Sequence, residues 1–386
     1  MRRGTWTLLL GNTLVMIGVG FFLPILPLFI GHRQGTALVV GAVFASGLLA
    51  IAVAQYPAGA LADRFGRRPV MVWSMGLYAL VFLAYLLPIP VWGLVGIRFA
   101  QGLLGGSYAV AATALVADLS DPERRGRAFG MLRTSDWAGL VLGPAIGGLV
   151  ASLRLDAVFA AGALICAGAT ALLTLLPRVT RRSGPAPEPP RRPLAILRSL
   201  LPFIVLGSAM GYTIGAYDTI WSLYLTRNGA TPAVVGLSFT LFSVPLVLLG
   251  TSGGAWADRI GHWRAATFTA LMYGVFGAAY AFISNVPALV VLSVLEGALV
   301  VAGNPALTAL VSRSAPATEQ GRAQGVFRIG ITASQVVGAL LGGGLFGIAP
   351  AFSFLSIAAF SLLAVAASRL FQPAAVVRSA PVSAQP

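Results

Sequence analysis

Long apolar runs separated by short polar segments make up nearly all of this chain. Many of the runs approach the ~20 residues that a helix needs to cross a bilayer. The pattern predicts twelve membrane-spanning helices at 5–30, 37–61, 70–88, 91–117, 128–151, 157–177, 200–225, 233–256, 265–284, 288–312, 323–348 and 351–370. We therefore expect a six-helix bundle over 1–177, a Pro-rich cytoplasmic linker over 178–199, a second bundle over 200–371 and a disordered cytoplasmic tail over 372–386.

A second pattern repeats along the chain at a constant offset of 195 residues. The string GALADRFGRR at Gly59–Arg68 returns as GAWADRIGHW at Gly254–Trp263, and Gly143 and Gly147 correspond to Gly338 and Gly342. A constant offset over this length indicates that a unit of about half the chain was duplicated. Parallel repeats of a membrane unit are one of the known designs of secondary transporters.

Composition and charge support a membrane protein. The chain is 57% hydrophobic and 10% charged, against roughly 25% charged residues in soluble domains. Its net charge of +15 comes from arginine alone, and twenty arginines fall in the predicted cytoplasmic segments against three outside. This bias predicts that both termini are cytoplasmic, and we expect the protein in the cell inner (plasma) membrane. Because the basic residues report topology, they do not indicate a nucleic-acid partner.

Six ionisable side chains fall well inside the predicted spans. They are Arg98, Arg133, Asp136, Asp218, Glu296 and Arg328. A charge at the middle of a bilayer costs on the order of 2.5–3.5 kcal/mol, so each should be paired or face water, and each is a functional candidate. We expect Glu296 or Asp218 to carry a proton, with Asp136 third as a partner of Arg98 or Arg133. A permanent ion pair remains the alternative for each acid.

The repeated string predicts a charged turn between the second and third spans. Asp63 ends one helix, Gly66 opens the turn, and Arg64, Arg67 and Arg68 crowd it, while Gly59 would let a second helix approach. An acid among several guanidiniums can hold two elements together and release them after a small change in charge. The alternative is a solvated turn that only sets topology.

Three motifs resemble those of the major facilitator superfamily, and the resemblance covers the whole chain. GALADRFGRRPV resembles the family's loop signature, and Arg98-x-x-Gln101-Gly102 resembles its second motif. The series Gly130, Gly139, Gly143-Pro144 and Gly147-Gly148 resembles the antiporter motif in the fifth span of its drug:proton antiporters. The resemblance implies an all-α membrane protein with twelve transmembrane helices in two pseudo-symmetric six-helix bundles.

The resemblance also implies roles for individual residues. Spans 1, 4, 7 and 10 would line a central chamber, where the candidates for contacting substrate are Asn12, Gln101, Tyr108, Trp221 and Asn304. Near the inner face, Arg67 would reach Asp118. In the fifth span, Gly139, Gly143 and Gly147 recur every four residues and form a smooth strip that lets another helix come close. Pro144 should bend this helix, although a static contact would need the same glycines.

The function that these features favour is proton-coupled export of small amphiphilic molecules by alternating access, in which residues 1–177 rock against 200–371. A sugar or metabolite exporter of the same superfamily and a membrane sensor without flux are the alternatives. An intramembrane enzyme is disfavoured because the chain has neither an H-E-x-x-H nor a G-x-S-x-G sequence. We expect no cofactor or metal, a small-molecule substrate and protons as partners, contact with the lipid bilayer, and a monomer.

The loop motif yields a first testable prediction. Replacing Asp63→Asn should abolish transport while leaving membrane insertion intact, because it removes only the charge that would hold the predicted gate. Substrate flux and the amount of protein in isolated membranes are to be measured together. Wild-type flux in this variant would remove the gate role.

Overall fold

The computed structural model describes residues 3–120, 125–177, 193–316 and 319–371. The centre of the predicted linker and the predicted tail lie outside these ranges. Over the described residues the chain is all-helical, with fifteen helices. They are α1 Arg3–Phe22, α2 Leu26–His32, α3 Ala37–Phe65, α4 Arg67–Ala84, α5 Gly93–Leu119, α6 Arg125–Leu153, α7 Ala157–Leu173, α8 Pro193–Arg227, α9 Pro232–Leu248, α10 Gly250–Ile260, α11 His262–Tyr280, α12 Val286–Val300, α13 Gly303–Arg313, α14 Gln320–Ile348 and α15 Pro350–Leu370.

Every predicted span has a helix or a broken helix in the structure. Eight helical stretches are long and apolar enough to cross a membrane, and the bent pair α9 and α10 makes nine if it counts as one span. The three remaining predicted spans coincide with α4, α7 and α11, which are shorter or less apolar. The all-helical membrane fold is therefore as predicted, and its helices are compatible with twelve crossings. The seventh span begins at Pro193, seven residues before the predicted start.

Two predicted spans are broken where a proline removes a backbone donor. Pro27 and Pro305 have no N–H for the carbonyl four residues earlier, which belongs to Leu23 and Val301 respectively. The chain accordingly leaves the helix between α1 and α2 and between α12 and α13. The second break has a consequence for the tenth span. Asn304, predicted to contact substrate from the tenth span, follows the break and is exposed.

The described residues form two compact units. The first contains residues of Met1–Ala186 together with Ser222–Thr240, and the second contains residues of Pro187–Trp221 and Leu241–Pro386. In the first unit α1 packs along α6, α3 along α5, and α4 along α7. In the second unit α11 packs against α15 and α13. The helices thus associate mainly in pairs within each unit.

The contact between α1 and α6 depends on glycine. A Cβ atom added at Gly139 would lie 2.7 Å from the backbone nitrogen of Ile17, and one added at Gly143 would lie 2.7 Å from its carbonyl oxygen. At Gly147 an added Cβ would overlap the carbonyl oxygen of Phe21. The two backbones therefore touch, because small residues alone let helices approach this closely.

The flanking positions of the strip differ from its centre. Gly148, the residue after Gly147, faces α9. A Cβ atom added at Gly148 would lie 2.6 Å from the Pro232 carbonyl oxygen. Pro144 lies inside α6 and is buried. Gly130, near the start of α6, would accept a Cβ with no atom within 4 Å. Only the later glycines of the motif are thus required by packing in this structure.

The second unit contains the same contact at the repeat offset. A Cβ added at Gly338 of α14 would lie 2.9 Å from the Cα of Tyr212, and one added at Gly342 would lie 3.1 Å from the Cα of Ala216. Tyr212 and Ala216 belong to α8 and correspond to Ile17 and Phe21 of α1. The duplicated sequence therefore builds a duplicated helix pair.

The glycine contact predicts a difference between two otherwise identical substitutions in α6. Gly147→Ala should destabilise the protein by about 1–3 kcal/mol, because the new methyl group overlaps the backbone of α1. Gly130→Ala should be neutral or stabilising by up to ~1 kcal/mol, since alanine favours the helix and the site is open. Thermal unfolding of the two variants in the same detergent compares them directly. Equal unfolding temperatures would contradict the contact.

Candidate functional site

Glu296 lies in α12 with its side chain 1% exposed. Its Oε2 accepts a hydrogen bond of 2.8 Å from the hydroxyl of Tyr280, and its Oε1 accepts one of 3.2 Å from the hydroxyl of Tyr217. Among the residues that the structure describes, no arginine or histidine lies within ion-pair distance of this carboxyl group. The sequence predicted that this acid would be paired or face water, and the structure shows neither. Two neutral phenols hold it instead.

Aromatic rings enclose this carboxyl group. The ring of Tyr280 packs at 4.9 Å from Trp221 and at 5.9 Å from Phe354, and the ring of Tyr217 lies 6.0 Å from both Tyr280 and Trp221. Trp221 was predicted to contact substrate, whereas Tyr217 and Tyr280 were not singled out from the sequence. The repeat offset was the signal that could have found Tyr280, because Tyr85 and Gln101 stand at the positions of Tyr280 and Glu296.

Arg98 is a buried ionisable side chain of the first unit, as Glu296 is of the second. Its side chain is 8% exposed, and its Nη1 donates a hydrogen bond of 3.0 Å to Oε1 of Gln101. Its guanidinium lies 5.2 Å from the ring centroid of Phe22, a cation–π distance. A Cβ at Gly47 of α3 would lie 2.8 Å from its Nε, so glycine makes room for the side chain. No described carboxylate pairs with Arg98.

Asn12 joins three helices of the first unit. Its Nδ2 donates hydrogen bonds of 2.7 Å to Oδ1 of Asp136 and 2.8 Å to the hydroxyl of Ser135, both on α6. Its Oδ1 accepts a hydrogen bond of 3.1 Å from the hydroxyl of Tyr108 on α5. Asp136 also forms an ion pair of 3.2 Å with Arg133. Of the two predicted partners of Asp136, the structure therefore selects Arg133 and not Arg98.

The structure places the remaining candidates as follows. Asp218 is half-buried on α8, next to Tyr217. Gln101 is fully buried and accepts a second hydrogen bond, of 3.1 Å, from the hydroxyl of Tyr85. The predicted substrate-contacting side chains thus belong to three separate clusters: Asn12 with Tyr108, Gln101 with Arg98, and Trp221 with Glu296. Asn304 belongs to none of them.

The charged turn of the repeated motif ties together helix ends in the first unit. Gly66 has a φ of +91°, which favours glycine, and α4 begins at the next residue. Arg67 forms an ion pair with Asp118 in the last turn of α5, and Arg68 donates a hydrogen bond to the carbonyl of Thr174, just after α7. The turn therefore contacts the ends of two other helices.

Three other residues of this motif lie in the last two turns of α3. Asp63 and Arg64 are exposed in the last turn of α3. A Cβ at Gly59 would meet no atom within 4 Å, so the close helix approach expected at this glycine is absent. Gly59 is on a side of α3 where no neighbouring helix packs closely, unlike Gly147 on α6.

Comparison with known proteins agrees with this architecture. The family model of the Major Facilitator Superfamily matches residues 8–221 and 203–385. The chain is 29% identical to the tetracycline resistance protein, class C, of Escherichia coli, over 85% of this chain and 86% of that protein. It is 25% identical to multidrug resistance protein 2 of Bacillus subtilis, over 92% of both chains.

Solved structures show the same fold at lower sequence identity. The nucleoside transporter NupG superposes with a TM-score of 0.79, at 14% identity, over 98% of this chain and all of that one. A bacterial homologue of the human lysosomal transporter Spinster, in an inward-facing and occupied conformation, gives a TM-score of 0.79 at 12% identity over 95% of this chain and 96% of that one. At such identities the likeness concerns the fold alone. Because the family model covers both duplicated halves, the chain belongs to the major facilitator superfamily and is a multi-pass membrane transporter.

Proposed function

We propose that this transporter exports small amphiphilic molecules in exchange for protons, by alternating access. Its relatives named for tetracycline resistance and multidrug resistance, at 25–29% identity over most of the chain, support export. The nucleoside transporter is similar in fold alone, so it does not favour a nucleoside as substrate. The arginine bias supports cytoplasmic termini, and the bacterial relatives support a location in the plasma membrane. Since one chain contains both units, a monomer suffices.

Proton coupling is supported by the surroundings of the Glu296 carboxyl group. An ionised carboxylate in apolar surroundings is costly unless a cation or several hydrogen bonds compensate it. Glu296 has two phenol hydrogen bonds and no cation among the described residues. Binding one proton therefore changes the net charge of this cluster from negative to neutral. A site that takes up and releases a proton in each transport cycle needs this property.

The other acids are less suited to this role. Asp136 already has a cation, Arg133, and an amide donor, Asn12, as partners. We assign Asp136 and Asn12 a structural role, in which their hydrogen bonds hold α1, α5 and α6 together. Asp218 remains the second candidate for proton binding, because it is half-buried and directly follows Tyr217, a hydrogen-bond partner of Glu296.

The ion pair of Arg67 with Asp118 would act as a gate element. It connects the turn before α4 with the end of α5 through two side chains. Ion pairs between separate helices are known to be rearranged when a protein changes conformation. In this role the pair would stabilise one of the two access states, and Asp63 on the same turn would contribute to the same gate.

Substitution of the proton-binding acid tests the proposal. Purified protein in proteoliposomes is given an imposed pH gradient and a panel of probes that begins with tetracycline and ethidium. Wild-type protein should concentrate at least one probe against its gradient. Glu296→Gln should lose this accumulation at least tenfold while it keeps exchange of labelled for unlabelled probe, because exchange needs no net proton movement. Fluorescence of the probe follows both reactions.

The matched control is Glu319→Gln, which makes the same chemical change at the residue preceding α14, outside the buried cluster. It should transport like the wild type. Proton-driven accumulation that persists in Glu296→Gln would contradict the assignment of Glu296. A wild-type protein that moves none of the probes, in vesicles or in a drug-susceptibility screen of expressing cells, would contradict export of amphiphilic molecules.

A further inference from the structure

The Glu296 cluster has a counterpart in the first unit at the same repeat offset. Tyr85 donates a hydrogen bond to the side-chain oxygen of Gln101, as Tyr280 does to Glu296. Each tyrosine also packs against a phenylalanine at equivalent positions, Phe159 in the first unit and Phe354 in the second. The duplication therefore built the same tyrosine-bonded polar side chain twice.

Three of the differences between the two copies change the polar and charged groups around this side chain. Gln101, an amide, corresponds to Glu296, and Arg98 corresponds to Ser293. Phe22, whose ring lies near Arg98 and Tyr85, corresponds to Tyr217. Where the first copy has a cation beside its amide oxygen, the second copy has a second phenol beside its carboxyl group. The hydroxyl that distinguishes Tyr217 from Phe22 points at the side chain that can bind a proton.

We infer that Tyr217 is a positioning residue for proton coupling, and that its hydroxyl sets the pH at which Glu296 binds and releases its proton. The inference rests on the proposed function and makes it more specific. Tyr280 has a tyrosine, Tyr85, at its position in the first copy, and it fixes the orientation of the Glu296 side chain. Tyr217 supplies the hydrogen bond that the ionised carboxylate needs in the absence of a cation, because a donor stabilises the charged form of a carboxyl group.

The groups that face Glu296 from the surrounding helices are neutral. They are Tyr217 from α8, Tyr273 and Tyr280 from α11, and the ring of Phe354 from α15. The backbone carbonyl of Phe242 on α9 packs against the neighbouring Gly297. On its own helix the hydroxyl of Ser293 donates to the Val290 carbonyl, and Asp218 is not hydrogen-bonded to Glu296. No other charge in the described cluster competes with the phenols.

The two hydrogen bonds also indicate which oxygen takes the proton. Both carboxylate oxygens accept from a phenol, and each keeps a second lone pair that can bind a proton. The bond from Tyr217 to Oε1, at 3.2 Å, is longer than the bond from Tyr280 to Oε2, at 2.8 Å, and longer O–H···O bonds are weaker. The proton is therefore assigned to Oε1, whose lone pairs are less engaged, and the Tyr217 hydroxyl can rotate to accept from the new O–H group. No other covalent bond changes.

Infrared titration of the purified protein tests this without any substrate. Protonated carboxylic acids have a carbonyl stretching band that ionised ones lack, and the part of the band that disappears in Glu296→Gln belongs to Glu296. In Tyr217→Phe, which restores the side chain found at Phe22, the midpoint of this band should move to higher pH by about one unit, the size expected for a hydrogen bond to a charged group. The pH at half-maximal transport of the probe should move in the same direction.

The matched control is Tyr212→Phe, on the same helix. Its hydroxyl is hydrogen-bonded to Ser356 at 2.8 Å and not to Glu296, so the loss of this hydroxyl should leave the midpoint unchanged. An unchanged midpoint in Tyr217→Phe, or an equal shift in Tyr212→Phe, would overturn the inference while leaving Glu296 as the proton site. A band that is fully retained in Glu296→Gln would instead overturn the proposed function. Lower transport with an unshifted midpoint would show that Tyr217 is only structural.

Discussion

The desolvation of one carboxyl group constrains the second unit of this protein. Taking an ionised carboxylate out of water costs several kcal/mol even after the protein relaxes, and Glu296 is closed off from solvent by aromatic rings. The cost is reduced only if α8 and α11 hold their hydroxyl groups within reach of α12. The packing of these three helices and the charge state of Glu296 are therefore linked. A change in protonation alters the hydrogen bonds by which the helices are joined, which is what proton coupling requires.

Duplication explains why the backbone contacts recur while the polar groups differ. The glycine contact of α6 with α1 has its equivalent in α14 and α8, because a side chain larger than hydrogen would overlap a backbone in either copy. Polar side chains are under no such steric limit. Asn12, Tyr108 and Asp136, which form one network in the first unit, correspond to Gly207, Gly303 and Ile331 in the second. Each unit thus keeps the common scaffold and has its own arrangement of charges.

Much of the fold followed from the sequence, whereas the detail of the site did not. The twelve apolar runs each coincide with a helix or a broken helix because the length and polarity of a run report directly on the bilayer. The breaks after α1, α9 and α12 were missed, since proline is common within membrane helices and does not always interrupt them. The sequence identified Glu296 and Arg98 as ionisable residues within the spans, but it could not show that phenols and an amide would be their partners. Those contacts depend on how separate helices pack, and the repeat offset was the only trace of them in the sequence.

The charged turns show the same divergence near the membrane surface. In the first unit Arg67 reaches across to Asp118 on a different helix, so the ion pair depends on the relative position of α4 and α5. In the second unit the corresponding residues are His262 and Arg313, two groups that cannot attract each other. His262 instead contacts Asp258 at 3.0 Å, four residues earlier in the chain. This contact spans the single residue Gly261 that joins α10 to α11, so the chain itself holds the two groups close. Arg67 and Asp118 are far apart in sequence and their contact depends on how α4 and α5 are placed, which is a physical reason to look for the gate there.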